Sequence, residues 1–230
     1  MILSELSMDL DGIVQGIAIY ALPVIFAITM HEAAHGYVAR YFGDLTAYNQ
    51  GRISLNPTKH IDPVGTILVP ATLFIVSKLT MGAGFLFGWA KPVPVNFANL
   101  RQPKQDMLWV AVAGPGANLI MAFFWALVMK FAIILPVSDF TRPMLLMCKA
   151  GIEINVILMV LNLLPLPPLD GGRMAMSLLP HRIARHFARI EPYGFMILLI
   201  LLISGVLGVI VWPLIILIKL MMVSFFGLYV

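Results

Sequence analysis

The chain has 230 residues, 60% of them hydrophobic and only 11% charged, with a mean hydropathy of +0.95. A soluble domain carries about 25% charged residues, so the composition excludes an ordinary soluble protein and describes an integral membrane protein. The formal charge of +4 is scattered between apolar runs, as membrane topology requires, which argues against a nucleic-acid partner. The chain leaves no room for a second soluble domain of ordinary size, so residues 1–230 are expected to form one multi-pass unit. Its one cysteine, Cys148, excludes an internal disulfide and a Cys-rich zinc site, and reads as a small buried apolar residue. Residues 1–11 hold Glu5, Asp9 and Asp11 but no Lys or Arg, whereas a secretory signal peptide starts positive.

The first span is expected over residues 13–37, long enough to cross about 30 Å of hydrocarbon. Toward its end stands His31-Glu32-Ala33-Ala34-His35. On a helix, positions i and i+4 share a face, so both imidazoles can point at one ion. Imidazole nitrogen is a preferred zinc ligand, and a carboxylate beside the first ligand can take a proton from a metal-activated water. A lone buried histidine is usually a core residue. A pair flanking a glutamate inside an apolar segment reads as a metal site, because ionisable groups there are costly. Arg40 closes the segment and Gly43-Asp44 breaks it.

Residues 45–63 are polar and turn-rich. Ile53 and Leu55 alternate with polar neighbours, which predicts a short strand at 53–55. Residues 64–90 are apolar, interrupted by Pro70 and Lys78. The run Lys91-Pro92-Val93-Pro94-Val95-Asn96 is extended by its prolines. Residues 107–135 form a strong span containing Gly114-Pro115-Gly116-Ala117-Asn118, where small residues permit close helix approach. Residues 144–164 form the next, carrying Glu153, Asn155 and Asn162. Then comes Asn162-Leu163-Leu164-Pro165-Leu166-Pro167-Pro168-Leu169-Asp170-Gly171-Gly172-Arg173, whose prolines and glycines cannot continue a regular helix. Unwound backbone at membrane depth is tolerated only where it is buried in protein or lines a cavity, so Asp170 is the best candidate for a third metal ligand. Residues 180–189 place Arg182, Arg185 and Arg189 at helical spacing, as in an amphipathic helix on an anionic membrane surface, with His181 and His186 as surface residues. Residues 194–230 are almost wholly apolar, too long for one untilted span and tight for two, with Gly205, Gly208 and Pro213 as candidate breaks.

Asp170 can reach the His31/His35 ion only from the same membrane face. An acidic start outside, and Arg40, Arg52 and Lys59 inside, run the first span inward; Arg173, Arg182, Arg185 and Arg189 place the later motif inside too. An even number of crossings must separate the motifs. Two come from 107–135 and 144–164, so 64–90 contributes none and is expected to be a re-entrant hairpin, being too short for two spans of about 20 residues each.

On His31-Glu32-x-x-His35, Gly114-Pro115-Gly116-Ala117-Asn118 and Asn162-x-x-Pro165-x-Pro167-x-Leu169-Asp170-Gly171, the chain resembles the site-2 protease family of zinc intramembrane metalloproteases. The G-R-I-S-L-N-P…H-I-D-P stretch resembles the compact bacterial and archaeal subgroup without a PDZ domain. The resemblance implies an all-α polytopic membrane protein: a helical bundle with short β-like segments and a re-entrant hairpin near the active site. Its catalytic core would cover about 12–175 and a C-terminal membrane segment 194–230. It implies one Zn2+ per chain held by His31, His35 and Asp170, with Glu32 as catalytic base. Asn162 would hold the substrate or support the oxyanion, against the plainer reading in which its amide satisfies the backbone freed by Pro165. The implied reaction is cleavage of a single-span membrane protein, or a signal-peptide remnant, near its cytoplasmic end. The implied location is a prokaryotic cytoplasmic membrane, with the site toward the cytoplasm. An unwound substrate could add as a strand along 53–55 and 93–95. Asn118, Asn162 and His60 would line a polar cavity, though His60 reads equally well as an interfacial loop residue. A membrane transporter or metal-ion-binding protein could use the same His/Glu/Asp cluster, with the broken segment as its substrate site, but no internal repeat supports it. An inactive relative acting as a binding module would not need Glu32.

Overall fold

The computed structural model describes residues 2–69, 88–136 and 138–228, with Thr72 and Val76; side chains are described from Val14 onward, Ile67 excepted. The helices are α1 (Ile2–Tyr41), α2 (Pro103–Ile134), α3 (Thr141–Asn162), α4 (Asp170–Leu178), α5 (His181–Ala188), α6 (Glu191–Ile203) and α7 (Val206–Phe226), with one further turn at Thr46–Asn49. Among the described residues four segments are long and apolar enough to cross a membrane: Val14–Tyr41 of α1, α2, α3 and α7. The protein is an all-α polytopic membrane protein. At 1.5 Å per residue α2 runs about 48 Å, well beyond the ~30 Å hydrocarbon core, so part of it stands outside. Large apolar side chains face outward, with Ile134 at 72% exposure and Val209 at 76%. On a soluble protein such a surface would be a liability; here it meets lipid.

The helices pack where their sequences are small. Trp125 of α2 lies on Gly151 of α3, where an added Cβ would sit 2.4 Å from the indole ring. Ala122, Ala126, Cys148, Val156 and Val160 complete the α2–α3 contact, and Val211, Ile215 and Met222 bring α7 onto it. Among the described residues an ion pair joins two spans: Lys219 Nζ of α7 and Glu153 Oε1 of α3 are 3.0 Å apart.

The expected strand at 53–55 does not form, and no strand occurs among the described residues. Ile53 alternates inward because its side chain packs on Gly36 of α1, where a Cβ would meet it at 3.0 Å. The neighbouring extended run cannot ladder with it, since Pro92 and Pro94 have no N–H. Instead Arg52 Nη2 donates to the carbonyls of Lys91 and Pro92, each at 3.1 Å. The two ends of 64–90 meet: Trp89 N–H donates to Gly65 O (3.0 Å), Thr66 Oγ1 to Trp89 O (2.9 Å) and Lys91 N–H to His60 O (2.9 Å). The chain thus enters and leaves this stretch on one side, as a re-entrant hairpin must. A helical turn, Pro63–Leu68, opens the stretch, and most of the residues on which the expected re-entrant hairpin falls lie outside the described residues.

Gly171 and Gly172, expected as breakers, lie inside α4. They are glycine because the preceding loop folds back on them: a Cβ on Gly171 would be 2.3 Å from Leu163 O, and one on Gly172 would be 2.4 Å from Pro167 N. The break is carried by residues 163–169 alone. In the C-terminal segment the break falls at Gly205, with φ +77, while Gly208 and Pro213 sit within α7.

The loops that reach the membrane-embedded site are tied down by Asp44, just beyond α1. Its buried carboxylate accepts hydrogen bonds from Thr46 N (3.0 Å), Asn99 Nδ2 (3.3 Å) and Asn96 N (2.7 Å). Burial opposes ionisation here, but the donors of Thr46, Asn96 and Asn99 outweigh it and hold the carboxyl below its ordinary value. Such a group stabilises the fold above the unfolded pKa of about 4, and the contribution is lost as pH falls through the lower folded value. Asp44→Asn should lower stability at pH 7 by about 1–3 kcal/mol. In melting curves across pH 7 to 2, the gap between wild type and variant should hold above pH ~4 and close below it. A gap unchanged to pH 2 would show that the ionised carboxylate is not what the loops hang on.

Candidate metal centre

Helix α1 stacks His31 and His35 one turn apart, with ring centroids separated by 4.7 Å and planes at 82°. Asp170 arrives from the far end of the chain as the first residue of α4, aimed at the same point by the proline loop before it. The two Nε2 atoms are 3.1 Å apart, and Asp170 Oδ2 lies 3.2 Å from that of His31 and 3.3 Å from that of His35. All three residues are buried. Gly114 makes room for α2 to pass beside the rings, since a Cβ there would be 2.3 Å from His35 Nε2.

The outer hydrogen bonds decide what the inner atoms are. Asn118 Nδ2 donates to Ala27 O (3.1 Å) and to Asn155 Oδ1 (3.0 Å), which turns Asn118 Oδ1 toward His31. Asn155 is fixed in turn by donating to Gly151 O at 2.8 Å. His31 Nδ1 therefore donates to Asn118 Oδ1 (2.6 Å), and His35 Nδ1 donates to the Val110 carbonyl (2.7 Å). A neutral imidazole whose Nδ1 carries the proton presents a bare lone pair at Nε2. Two such lone pairs and a carboxylate oxygen thus face one another, and Asp170 Oδ2 is buried with no hydrogen-bond donor. This arrangement calls for positive charge among the three, which a metal ion, or a proton on one Nε2, supplies. Ligand atoms bound at about 2.0–2.1 Å to a tetrahedral ion stand ~3.3–3.4 Å apart, close to the spacing seen here. Two imidazoles and one carboxylate, each ring backed by an outer acceptor, fit zinc.

Glu32 lines the same pocket, with Oε2 accepting the Val93 N–H at 2.7 Å. Asn162 also lines it, and its Nδ2 donates to Leu158 O at 3.0 Å, one turn back, not to the carbonyl freed by Pro165. Arg173 forms part of the wall, its guanidinium over the Phe97 ring at 4.8 Å and 3.7 Å from Glu191. All five expected site residues, His31, Glu32, His35, Asn162 and Asp170, therefore share one pocket. Two expectations are corrected. Asn118 is fully buried behind His31 and does not line the cavity. His60 is a buried loop residue whose Nε2 donates to Ser54 O at 2.8 Å, so it serves the 54–60 turn and stands off the pocket wall. Asn155, Val93 and Arg173 were not anticipated in these positions. A second polar residue in the Asn155 span was the one available signal, and a backbone N–H such as that of Val93 leaves none.

A family model described as peptidase family M50 matches residues 137–205. The chain is 40% identical over 195 residues to the candidate zinc metalloprotease YwhC of Bacillus subtilis, covering 84% of this chain and 83% of that one. It is 30% identical over 190 residues to the candidate zinc metalloprotease Rip2 of Mycolicibacterium smegmatis, covering 80% of this chain and 66% of that one. Against the Mycobacterium tuberculosis protein of the same name the identity is 26% over 197 residues, with 82% and 70% coverage. No solved structure matches the chain.

Gly114→Ala should abolish zinc retention, because its methyl group would occupy the space of the two rings, whereas Gly116→Ala, with nothing within 4 Å of an added Cβ, should bind zinc normally. Asn118→Ala should lower zinc affinity about 10–100-fold by releasing the His31 tautomer. Equilibrium dialysis of the purified variants checks both, and unchanged affinity in Asn118→Ala would remove the outer hydrogen bond from the account.

Proposed function

Since the chain belongs to peptidase family M50, the site-2 protease family of zinc intramembrane metalloproteases, we propose that it cleaves the transmembrane helix of single-span membrane proteins, or signal-peptide remnants, near the cytoplasmic side. The chain is a metalloprotease and a multi-pass membrane protein. The observation that carries the finer reading is the cluster itself: three facing acceptors with Glu32 beside them, in a pocket at the ends of spanning helices. In this reading His31, His35 and Asp170 hold one zinc ion per chain. When bound, zinc supplies Lewis acidity toward water and toward the scissile carbonyl. Glu32 takes the proton from the attacking water and delivers it to the leaving amine. The Val93 N–H holds Oε2 of Glu32 and so fixes the direction in which the carboxylate works. Asn162 steadies the unwound substrate or the developing oxyanion from the rim of the pocket. The helix must unwind first, because its carbonyls are shielded by their own hydrogen bonds, and the extended run through Val93 and Val95 is the surface it would lie along.

The cytoplasmic placement rests on the basic residues that collect at the site end of the spans: Arg40, Arg52, Lys59, Lys91, Arg173 and Arg182. The whole chain acts as one catalytic unit, with residues 12–175 as its core and 194–230 bracing it. The names of the relatives are those of metalloproteases, which weighs against the transporter alternative.

The test is reconstitution of the purified chain with a panel of single-span substrates. Glu32→Gln should keep its zinc and lose about 10²–10⁴-fold in cleavage rate. Asn162→Ala should also keep zinc and lose up to about 10²–10³-fold, the usual consequence of losing an oxyanion donor. Turnover by Glu32→Gln equal to wild type would refute the mechanism.

A further inference from the structure

Helix α5 contributes nothing to the pocket, yet its sequence is sharply divided. At 100° per residue, counted through Arg189 and Ile190, whose backbone keeps the right-handed helical conformation just past the end of α5, Arg182, Arg185 and Arg189 fall within an arc of about 60°, and Ile183, Phe187 and Ile190 fall on another arc of about 60°, well separated from the first. All three arginines are exposed. Among the described residues no carboxylate lies within ion-pair distance of them, and Glu191, the nearest in sequence, is turned to Arg173. Ile183 is 53% exposed while Phe187 and Ile190 are half-buried, so the apolar face is only partly covered within the chain. The next helix, α6, is apolar and bends away from α5 by 63°. A helix that turns through this angle into an apolar one lies along the membrane surface when its successor enters the membrane.

We propose that α5 is a docking surface for anionic phospholipid headgroups. The arginine arc takes lipid phosphates as charge-assisted hydrogen-bond acceptors, while Ile183, Phe187 and Ile190 sink to the acyl boundary. The partner is an anionic leaflet because the arc carries three unpaired guanidinium groups and no acid, and because its apolar counterpart needs hydrocarbon on the adjoining side. The contact has a place in the architecture. Helix α5 packs on α4, α4 begins with Asp170, and Lys104 of α2 holds the link between them by donating to Leu179 O at 2.5 Å. A headgroup layer gripping α5 therefore sets the depth at which the aspartate is presented.

The measurement needs no substrate, so it stands apart from the proteolytic reading. The full chain, purified and delipidated in detergent, is titrated with phosphatidylglycerol and with phosphatidylcholine, and bound lipids are counted by native mass spectrometry. Wild type should prefer phosphatidylglycerol, and the preference should weaken with salt. The triple variant Arg182→Gln/Arg185→Gln/Arg189→Gln should lose it by about 100-fold, at roughly fivefold per arginine. The triple lysine variant at the same positions should keep most of it, and Lys130→Gln, an exposed change on α2, should keep all of it. A phosphatidylglycerol preference that survives the glutamine variant overturns the proposal. So does its absence in wild type, which would leave the face to an acidic protein partner, or its equal loss in the lysine variant, which would mean that charge is not what binds.

Discussion

Two imidazole Nε2 atoms and a carboxylate oxygen share a space about 3 Å across, with both Nδ1 atoms engaged outside the cluster. That arrangement calls for positive charge at its centre, a metal ion or a proton on one Nε2, and four helices are committed to it. Helix α1 supplies the rings, α2 supplies Asn118, the Val110 carbonyl and the gap at Gly114, α3 supplies Asn155, and α4 supplies Asp170. None of these elements is held in place by a hydrophobic drive toward its neighbours, since lipid tails satisfy apolar side chains equally well. Metal binding in such a site is also folding free energy, because the ligands come together only in the assembled bundle. In the proposed reading, the centre of the chemistry and the keystone of the helix packing are the same atoms.

Around that centre, the polar backbone does work usually assigned to side chains. Between Pro92 and Pro94 the only N–H is that of Val93, and it is spent on Glu32. The carbonyls of Lys91 and Pro92 are taken by Arg52, and the next turn of the loop is anchored through Asn96 on Asp44. The run is thus held straight by side chains from residues 44 and 52, not by a partner strand. The Glu32 carboxylate is aimed from outside its own helix.

What the sequence made legible follows from contrast. His31, Glu32, His35 and Asp170 stand out because ionisable groups in apolar runs are expensive, so their presence requires a reason. The spans were equally plain, and counting crossings between residues that must meet required the two ends of 64–90 to lie on one side, where they hydrogen-bond to each other. The misses have a common origin in features that take two meanings. Alternation at Ile53 and Leu55 is the signature of a strand, but here it records one side chain fitting over Gly36. Glycine after proline reads as a break, yet Gly171 and Gly172 are helical and small because Leu163 and Pro167 lie against them. A histidine in a loop beside an active site invites a role, and His60 turned out to tie down its own turn. Asn155 was marked only as a polar residue in an apolar span; its role was hidden, because its partner is a second asparagine 37 positions away whose orientation only the fold reveals.

The pair formed by Glu153 and Lys219 bears on how the molecule is assembled. The fourteen Val, Leu, Ile and Phe residues of α7 contribute roughly 4–8 kcal/mol toward entering the bilayer, against about 3 kcal/mol for a centrally placed lysine. The last span therefore enters the membrane without help, carrying an unmatched ammonium into hydrocarbon. Once there, it has no hydrophobic reason to choose any face of the bundle, and among the described residues the face with Glu153 offers it a carboxylate 3.0 Å away. Lys219 thus acts as an address: its contact with Glu153 sets one azimuth and one depth at which α7 meets α3.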